Sequence, residues 1–290
     1  MSCMRDPVLG IETTLPGRTL VMGIVNVTED SFSDGGRYLD PAKAIEHARQ
    51  LVAEGADIID VGGESTRPGA TRVDAEVEKN RVVPVIAALH GLGIPTSVDT
   101  MRASVAAAAA EAGVALINDV SGGLADPDMF RVMAETDKAV CLMHWKTVRF
   151  GDAAGHADHG GDVVADVRDR LAQLVDQALA AGVSPGRITL DPGLGFAKSA
   201  EDNWALLKML PEFVKGDFPV LVGASRKRFL AAIRTERGLL ADANPAVAAD
   251  PATAAVTAIS AAQGAWCVRV HNVATSRDAV DVAARWNCGK

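Results

Sequence analysis

Short, continuous apolar runs alternate with longer amphipathic segments from one end of the chain to the other. Eight runs stand out: LVMGIVN (20–26), DIIDVGG (57–63), PTSVDT (95–100), ALIND (115–119), AVCLMHW (139–145), ITLDPG (188–193), PVLVGAS (219–225) and WCVRVHN (266–272). Continuous Val/Ile/Leu runs, instead of strict apolar–polar alternation, suit parallel strands buried on both faces. The segments between them carry helical patterns. Asp40 before Pro41 predicts a capped helix over 41–54. Further helices are predicted over 74–89, 102–112, 162–181, 200–214, 251–262 and 276–286, with a shorter one over 126–134. Strands alternating with helices predict βαβ units and a parallel sheet. Eight units in 290 residues predict a single-domain α/β fold, a (β/α)8 TIM barrel over 19–290, behind an N-terminal extension of residues 1–18. The rival, a doubly wound open sheet, would carry a GxGxxG turn after its first strand, and none is present. Two connections exceed ordinary loop length, 146–161 and 235–250, and residues 226–234 read as an extra helix opened by Ser225.

A barrel of this kind places its active site at the C-terminal ends of its strands. Those ends read Asn26, Gly62-Gly63-Glu64, Asp99, Asn118, His144, Asp191, Lys227 just past strand seven, and Arg269 with His271. Residues two apart on a strand face the same way, which pairs Arg269 with His271, Ser97 with Asp99 and Thr189 with Asp191. One Asp or Asn at a strand end commonly just caps a turn. A polar group at almost every strand end of one rim points instead to a site, because burying ionisable groups in a barrel mouth is costly without partners.

The chemistry divides by charge. Lys227, Arg269 and His271 follow strands seven and eight, where barrels often bind phosphate at the start of a short extra helix. Ser225-Arg226-Lys227 opens such a helix, whose dipole and N–H groups favour an anion, and Arg67 on the loop after strand two is placed to join them. Asp99, Asn118 and Asp191 form an acceptor-rich set suited to a planar heterocycle with several N–H donors. Asn26 offers one neutral oxygen, a reasonable single protein ligand for Mg²⁺, which keeps most of its waters and shares its site with substrate phosphates. A heterocycle bearing a diphosphate satisfies all three groups.

Composition narrows the partners. A net charge of −8 with no basic block argues against nucleic acid. No apolar run approaches the roughly 20 residues of a membrane span. The N-terminal MSCMRDPVLG lacks an apolar signal core, so a cytoplasmic location is expected and the sequon Asn26-Val27-Thr28 is expected to carry no glycan. Cys3, Cys141, Cys267 and Cys288 lie far apart with no CxxC spacing, which fits free thiols, those at 141 and 267 being small core residues. His156 and His159, in GHADHGG, are expected on a solvated segment, since no Cys or third His lies nearby in sequence.

The blocks MGIVNVTEDSFSDGG, DVGGESTRPGA, SVDT, INDVSGG, LDPGLGFAK, VGASRK and RVHNV occur in the order and spacing of one family. Through them the chain, from Leu20 to Trp286, resembles the bacterial dihydropteroate synthases, with LMHW similar to the actinobacterial branch. The resemblance implies condensation of 6-hydroxymethyl-7,8-dihydropterin diphosphate with p-aminobenzoate, giving 7,8-dihydropteroate and pyrophosphate. It implies that Asp99, Asn118, Asp191, Gly223 and Lys227 belong to the pterin pocket. Arg269 would stack on the pterin and, with His271 and Asn26, serve the diphosphate and its Mg²⁺. The catalytic set would be Asp99, Lys227, Arg269 and His271. Thr66, Arg67 and Pro68 would sit on a mobile loop beside the aminobenzoate, in a pocket lined by Phe196 and Lys227, where sulfonamides act. The loop 28–36 would close over the second substrate, and a homodimer is implied.

Two positions depart from the family pattern: Glu29, where Pro is frequent, and Asn272, where Asp is common next to the diphosphate site. Three other readings are weaker. A pterin-binding methyltransferase domain has no diphosphate to hold, against the SRK block and Arg269-Val-His271. A non-catalytic paralogue would not need every polar position filled. A Schiff-base aldolase using Lys227 has no second feature in its favour. Lys227→Ala or Arg269→Ala is expected to reduce turnover by orders of magnitude with the fold intact.

Overall fold

The eight apolar runs form eight parallel strands: β1 (Leu20–Asn26), β2 (Ile58–Gly62), β3 (Thr96–Asp99), β4 (Leu116–Asp119), β5 (Ala139–Met143), β6 (Ile188–Asp191), β7 (Leu221–Val222) and β8 (Cys267–Val270). A computed structural model describes residues 4–6, 8–13, 15, 17–28, 40–64, 72–147, 157–238 and 244–288. The strands pair in the order β6-β5-β4-β3-β2-β1-β8-β7. A bridge between Leu190 and Val220 joins the two outer strands, with Leu190 N–H donating to the Pro219 carbonyl at 2.9 Å. The ring is thereby closed into a (β/α)8 barrel.

Helices cover it: α1 (Pro41–Ala53), α2 (Ala75–Gly91), α3 (Ala103–Glu111), α4 (Met129–Thr136), α5 (Val163–Ala180), α6 (Ala200–Lys208), α7 (Leu210–Val214), α8 (Arg228–Glu236), α9 (Pro245–Ala248), α10 (Asp250–Ala262) and α11 (Val273–Asn287). Caps set several starts. Asp40 accepts from Ala42 N–H at 3.0 Å, and Ser199 with Asp202 forms a reciprocal capping box. Among the described residues no helix is long and apolar enough to cross a membrane.

Burial on both faces explains why the strands read as continuous apolar runs. Outward residues such as Val21, Ile59, Val98, Ile117, Val140 and Val268 pack beneath the helices. Inward residues Leu20, Met22, Ile58, Leu116, Cys141, Leu221 and Cys267 fill the lower barrel. Two residues further along the same inward face the chemistry changes: Ile58 gives way to Asp60, Leu116 to Asn118, Leu221 to Gly223 and Cys267 to Arg269. The inner wall therefore runs from an apolar floor to a polar mouth.

Residues ahead of β1 help close that floor. Met4–Arg5 and Glu12–Thr13 form an antiparallel hairpin. Val8 is buried against the floor cluster beside Leu9, Ile11 and Trp266, whose indole N–H donates to Asp6. Arg18 grips both oxygens of Asp57, at 2.9 and 2.6 Å.

Two helices start later than their patterns suggest. The helix expected over 226–234 begins at Arg228, because Arg226 adopts φ 57°, in the left-handed region that no helix accepts. The one expected at 126 begins at Met129, because the Asp126 side chain is used in the preceding turn, accepting from Asp128 N–H and from Ala103 N–H. The long segment 235–250 contains the end of α8 and all of α9. Glu29, the loop 29–39, Thr66, Arg67 and Pro68, and His156 lie outside the described residues.

Candidate active site at the barrel mouth

The centre of the mouth is a buried ion network. Arg269, at the top of β8, donates through Nε to Asp60 Oδ2 and through Nη2 to Asp99 Oδ2, both at 2.7 Å. Asp60 is fully buried on β2, and Asn118 from β4 reaches its other oxygen at 3.5 Å. Two carboxylates on neighbouring strands thus share one guanidinium, whose plane is held from two sides. Burial pushes the Asp99 carboxyl up to about 7; Arg269 opposes that rise and the nearby Asp60 charge adds to it. Burial works against the Arg269 charge too, but Asp60 and Asp99 outweigh it and raise its pKa.

A second group stands at the seam between β6 and β7. Asp191 accepts from Gly193 N–H at 2.7 Å, and burial raises its carboxyl above the usual range. Gly223 leaves room beside it, since a Cβ there would lie 3.4 Å from Asp191 Oδ2. Lys227 donates to the Leu194 carbonyl, and its ammonium sits 4.2 Å from the centre of the Phe196 ring. Burial lowers Lys227 to about 8, against the pull of Asp191. Gly195, at φ 76°, must be glycine, because a Cβ would collide with the Lys227 stem. Asp99, Asn118, Asp191, Phe196, Gly223, Lys227 and Arg269, singled out by sequence, thus converge on one mouth.

Beside them, His271 N–H donates to Ser225 Oγ at 3.1 Å, and the same oxygen lies 3.0 Å from His271 Nδ1. With the serine O–H donating to Nδ1, the ring proton rests on Nε2. Lys227 is the N-cap position of α8 and no side chain caps that helix start. Arg226 belongs elsewhere: it grips Asp250 at 2.7 and 2.8 Å and so pins the left-handed turn that presents Lys227. Asn272 donates to the same Asp250 at 3.3 Å and caps α11 through Thr275 N–H. An aspartate at 272 would face the Asp250 carboxylate instead, so the amide here is explained by its neighbour. Asn26 holds its carboxamide oxygen over Gly62, 3.3 Å from where a Cβ would be.

Two strand-end residues serve other purposes. Glu64 turns away from the mouth to Arg72 at 2.9 Å and Arg102 at 2.7 Å, in a cluster with buried Glu78. His144 is fully buried behind β5, and burial followed by the Lys198 charge lowers its pKa to about 3. It meets Asp166 at 3.5 Å, and His159 meets the same carboxylate at 2.6 Å. His159 is therefore buried, not solvated as its Gly/Asp-rich surroundings suggest; it meets Asp166, seven positions on, and the Ala197 carbonyl from a distant turn. Lys146 pairs with Asp166 at 3.1 Å, and Lys198 lies 3.0 Å from His144, whose protonation it opposes.

Sequence reasoning missed Asp60 and Lys198. The signal for Asp60 was present: an ionisable residue in the middle of a strand buried on both faces, in phase with Gly62.

With this geometry in hand, the likeness to known proteins is specific. The family described as Pterin binding enzyme matches residues 22–271. The dihydropteroate synthase of Mycobacterium leprae (strain TN) is 53% identical over 266 residues, 92% of this chain and 93% of that protein. The Xanthomonas albilineans dihydropteroate synthase structure with 4-aminobenzoic acid is 40% identical, with a TM-score of 0.86 over 100% of both chains. That of Yersinia pestis with a sulfonamide drug is 34% identical, with a TM-score of 0.85 over 99% of this chain and 98% of its own.

Proposed function

This chain belongs to the dihydropteroate synthases within the pterin binding enzymes, and from that premise we propose how its barrel mouth works. The reaction joins 6-hydroxymethyl-7,8-dihydropterin diphosphate to p-aminobenzoate, a transfer step of folate biosynthesis that yields 7,8-dihydropteroate and pyrophosphate. The observation that carries the reading is the set of buried Asp60, Asp99 and Asn118 around half-buried Arg269, with Asp191 and Lys227 beside it.

The pterin edge, rich in N–H donors, is read by Asp99, Asn118 and Asp191. Arg269, held in plane by two carboxylates, supports the ring face. The diphosphate lies toward His271 and the uncapped start of α8, where backbone N–H groups favour an anion. The carbon–oxygen bond at the pterin methylene breaks, and its electron pair leaves on pyrophosphate. Neighbouring carboxylates stabilise the cationic methylene that remains. Aminobenzoate, between Phe196 and Lys227, attacks through its amine nitrogen, forms the carbon–nitrogen bond and then sheds a proton. The amine is already nucleophilic, so no strong base is required.

Asn26 fits Mg²⁺, since one neutral oxygen suits an ion that keeps its waters and takes diphosphate oxygens. When bound, that ion supplies neutralising charge to the departing diphosphate.

The test is pyrophosphate release with both substrates and Mg²⁺, followed against a sulfonamide. Inhibition competitive with aminobenzoate is expected, and Asn26→Ala should raise the Mg²⁺ needed for half-maximal rate roughly 10- to 100-fold. Absence of pyrophosphate release sinks the assignment of the mouth, while turnover indifferent to a chelator sinks the metal.

The reading includes a homodimer in a reducing cytoplasm. Buried, protonated Cys141 and Cys267 suit that setting. Ile259, Val282 and Trp286 are 58%, 61% and 74% exposed on α10 and α11, an apolar face suited to a second copy. Sedimentation should give twice the chain mass, reduced by Ile259→Asp; a monomeric wild type overturns this.

A further inference from the structure

Lys198 is the least expected cation near the mouth. It is not itself a predicted substrate contact, yet it is only 6% exposed. Its ammonium donates to the Gly193 carbonyl at 2.9 Å, the Phe196 carbonyl at 3.2 Å and the His144 carbonyl at 3.4 Å, and lies 3.0 Å from His144 Nδ1. Buried lysines are rare unless fully partnered, and this one has an acceptor for each proton.

The turn it grips is strained at one residue. Gly193, Gly195 and Ala197 all have positive φ, at 71°, 76° and 51°. Ala197 is not a glycine, so its left-handed backbone is costly and persists only where surroundings enforce it. A Cβ at Gly193 would run into the His144 carbonyl, which shows how closely the turn is drawn against the end of β5. The same turn carries two parts of the mouth: the Leu194 carbonyl that accepts from Lys227, and the Phe196 ring beneath the Lys227 ammonium. Trp145 buttresses that ring from behind, with centroids 5.1 Å apart.

We propose that Lys198 is a positioning residue for the condensation. By binding carbonyls at both ends of the Gly193–Ala197 turn, it sets the place of the Phe196 ring and, through Leu194, of Lys227. It thereby governs how the aminobenzoate sits against the pterin. The inference rests on the assignment of Phe196 to the aminobenzoate pocket. It separates Lys198 from a merely structural lysine, whose loss would affect both substrates alike.

Steady-state kinetics of Lys198→Met, with Phe196→Ala alongside, test it. Methionine keeps the stem and removes all donors. The KM for aminobenzoate should rise about 10- to 100-fold, the range that a small misplacement of a substrate costs. The KM for the pterin diphosphate should rise clearly less, because Asp99 and Asn118 lie on β3 and β4, away from the turn, and Lys227 is the one pterin contact that the turn moves through Leu194. Equal rises in both KM values, or no rise in either, overturn the proposal. A normal aminobenzoate KM in Phe196→Ala overturns the pocket assignment itself, and the proposal with it. Should Lys198→Met fail to fold, Lys198→Gln carries the test: its shorter side chain keeps two N–H donors but cannot reach the Gly193, Phe196 and His144 carbonyls together, so its aminobenzoate KM should be raised more than its pterin KM, and a normal aminobenzoate KM there overturns the proposal.

Discussion

Replacement of Lys227 by alanine should lower kcat/KM by about 10²- to 10³-fold, the loss that follows removal of one preorganised charge from a desolvated site. The reason lies in how many neighbours refer to this ammonium. It donates to Leu194, lies over Phe196 and offsets buried Asp191. The substitution truncates a side chain at the mouth and leaves Asp191 its Gly193 N–H, so the fold should hold. A circular-dichroism melt within a few degrees of wild type, beside kinetics in both substrates, checks both halves. Near-normal turnover would remove Lys227 from the mechanism.

Arg269→Ala should cost both activity and stability. From residue roles alone the fold is expected to survive intact, but the network contradicts that. The variant leaves Asp60 and Asp99 buried together without their shared cation. Removing one partner of a buried pair typically costs roughly 3–5 kcal/mol. The penalty should depend on pH. Asp99 titrates at about 7 in the folded chain against 3.8 as its ordinary value, so the folded state holds the extra proton between those values. Stability contributed by Asp99 therefore falls as pH rises through that window. Without Arg269, which holds the value down, the folded pKa climbs further and ionisation costs more. Urea unfolding should show a larger deficit at pH 8.5 than at pH 5. An equal deficit at both would mean that Asp99 is not the group left unpaired.

The barrel was legible because its signal is local. Each strand is an apolar run, and most runs end in a polar residue that the two-residue period carries onto the inner wall, His144 after β5 being an exception. Arg269 and His271, or Ser97 and Asp99, needed nothing more than that period. What stayed hidden depends on contacts between distant segments. Asp60 lies inside an apolar run, and only its meeting with Arg269, 209 positions away, explains it. His159 reads as a surface residue until β5 brings His144 beside it. The start of α8 was misplaced because Arg226 answers to Asp250, on another helix. Asn272 looked like a lost charge for the same reason.

One feature of the ring has a mechanical side. Most neighbouring strands are laced by several backbone pairs, but β6 and β7 meet through the single bridge of Leu190 and Val220. A hoop parts first at its weakest stave. Native-state opening should therefore start at this joint, with the Leu190 amide exchanging deuterium sooner than those of β1 or β2. Asp191 and Gly223 stand directly above the joint, so a ligand bound across it acts as a rivet, slowing that exchange as well as occupying the mouth.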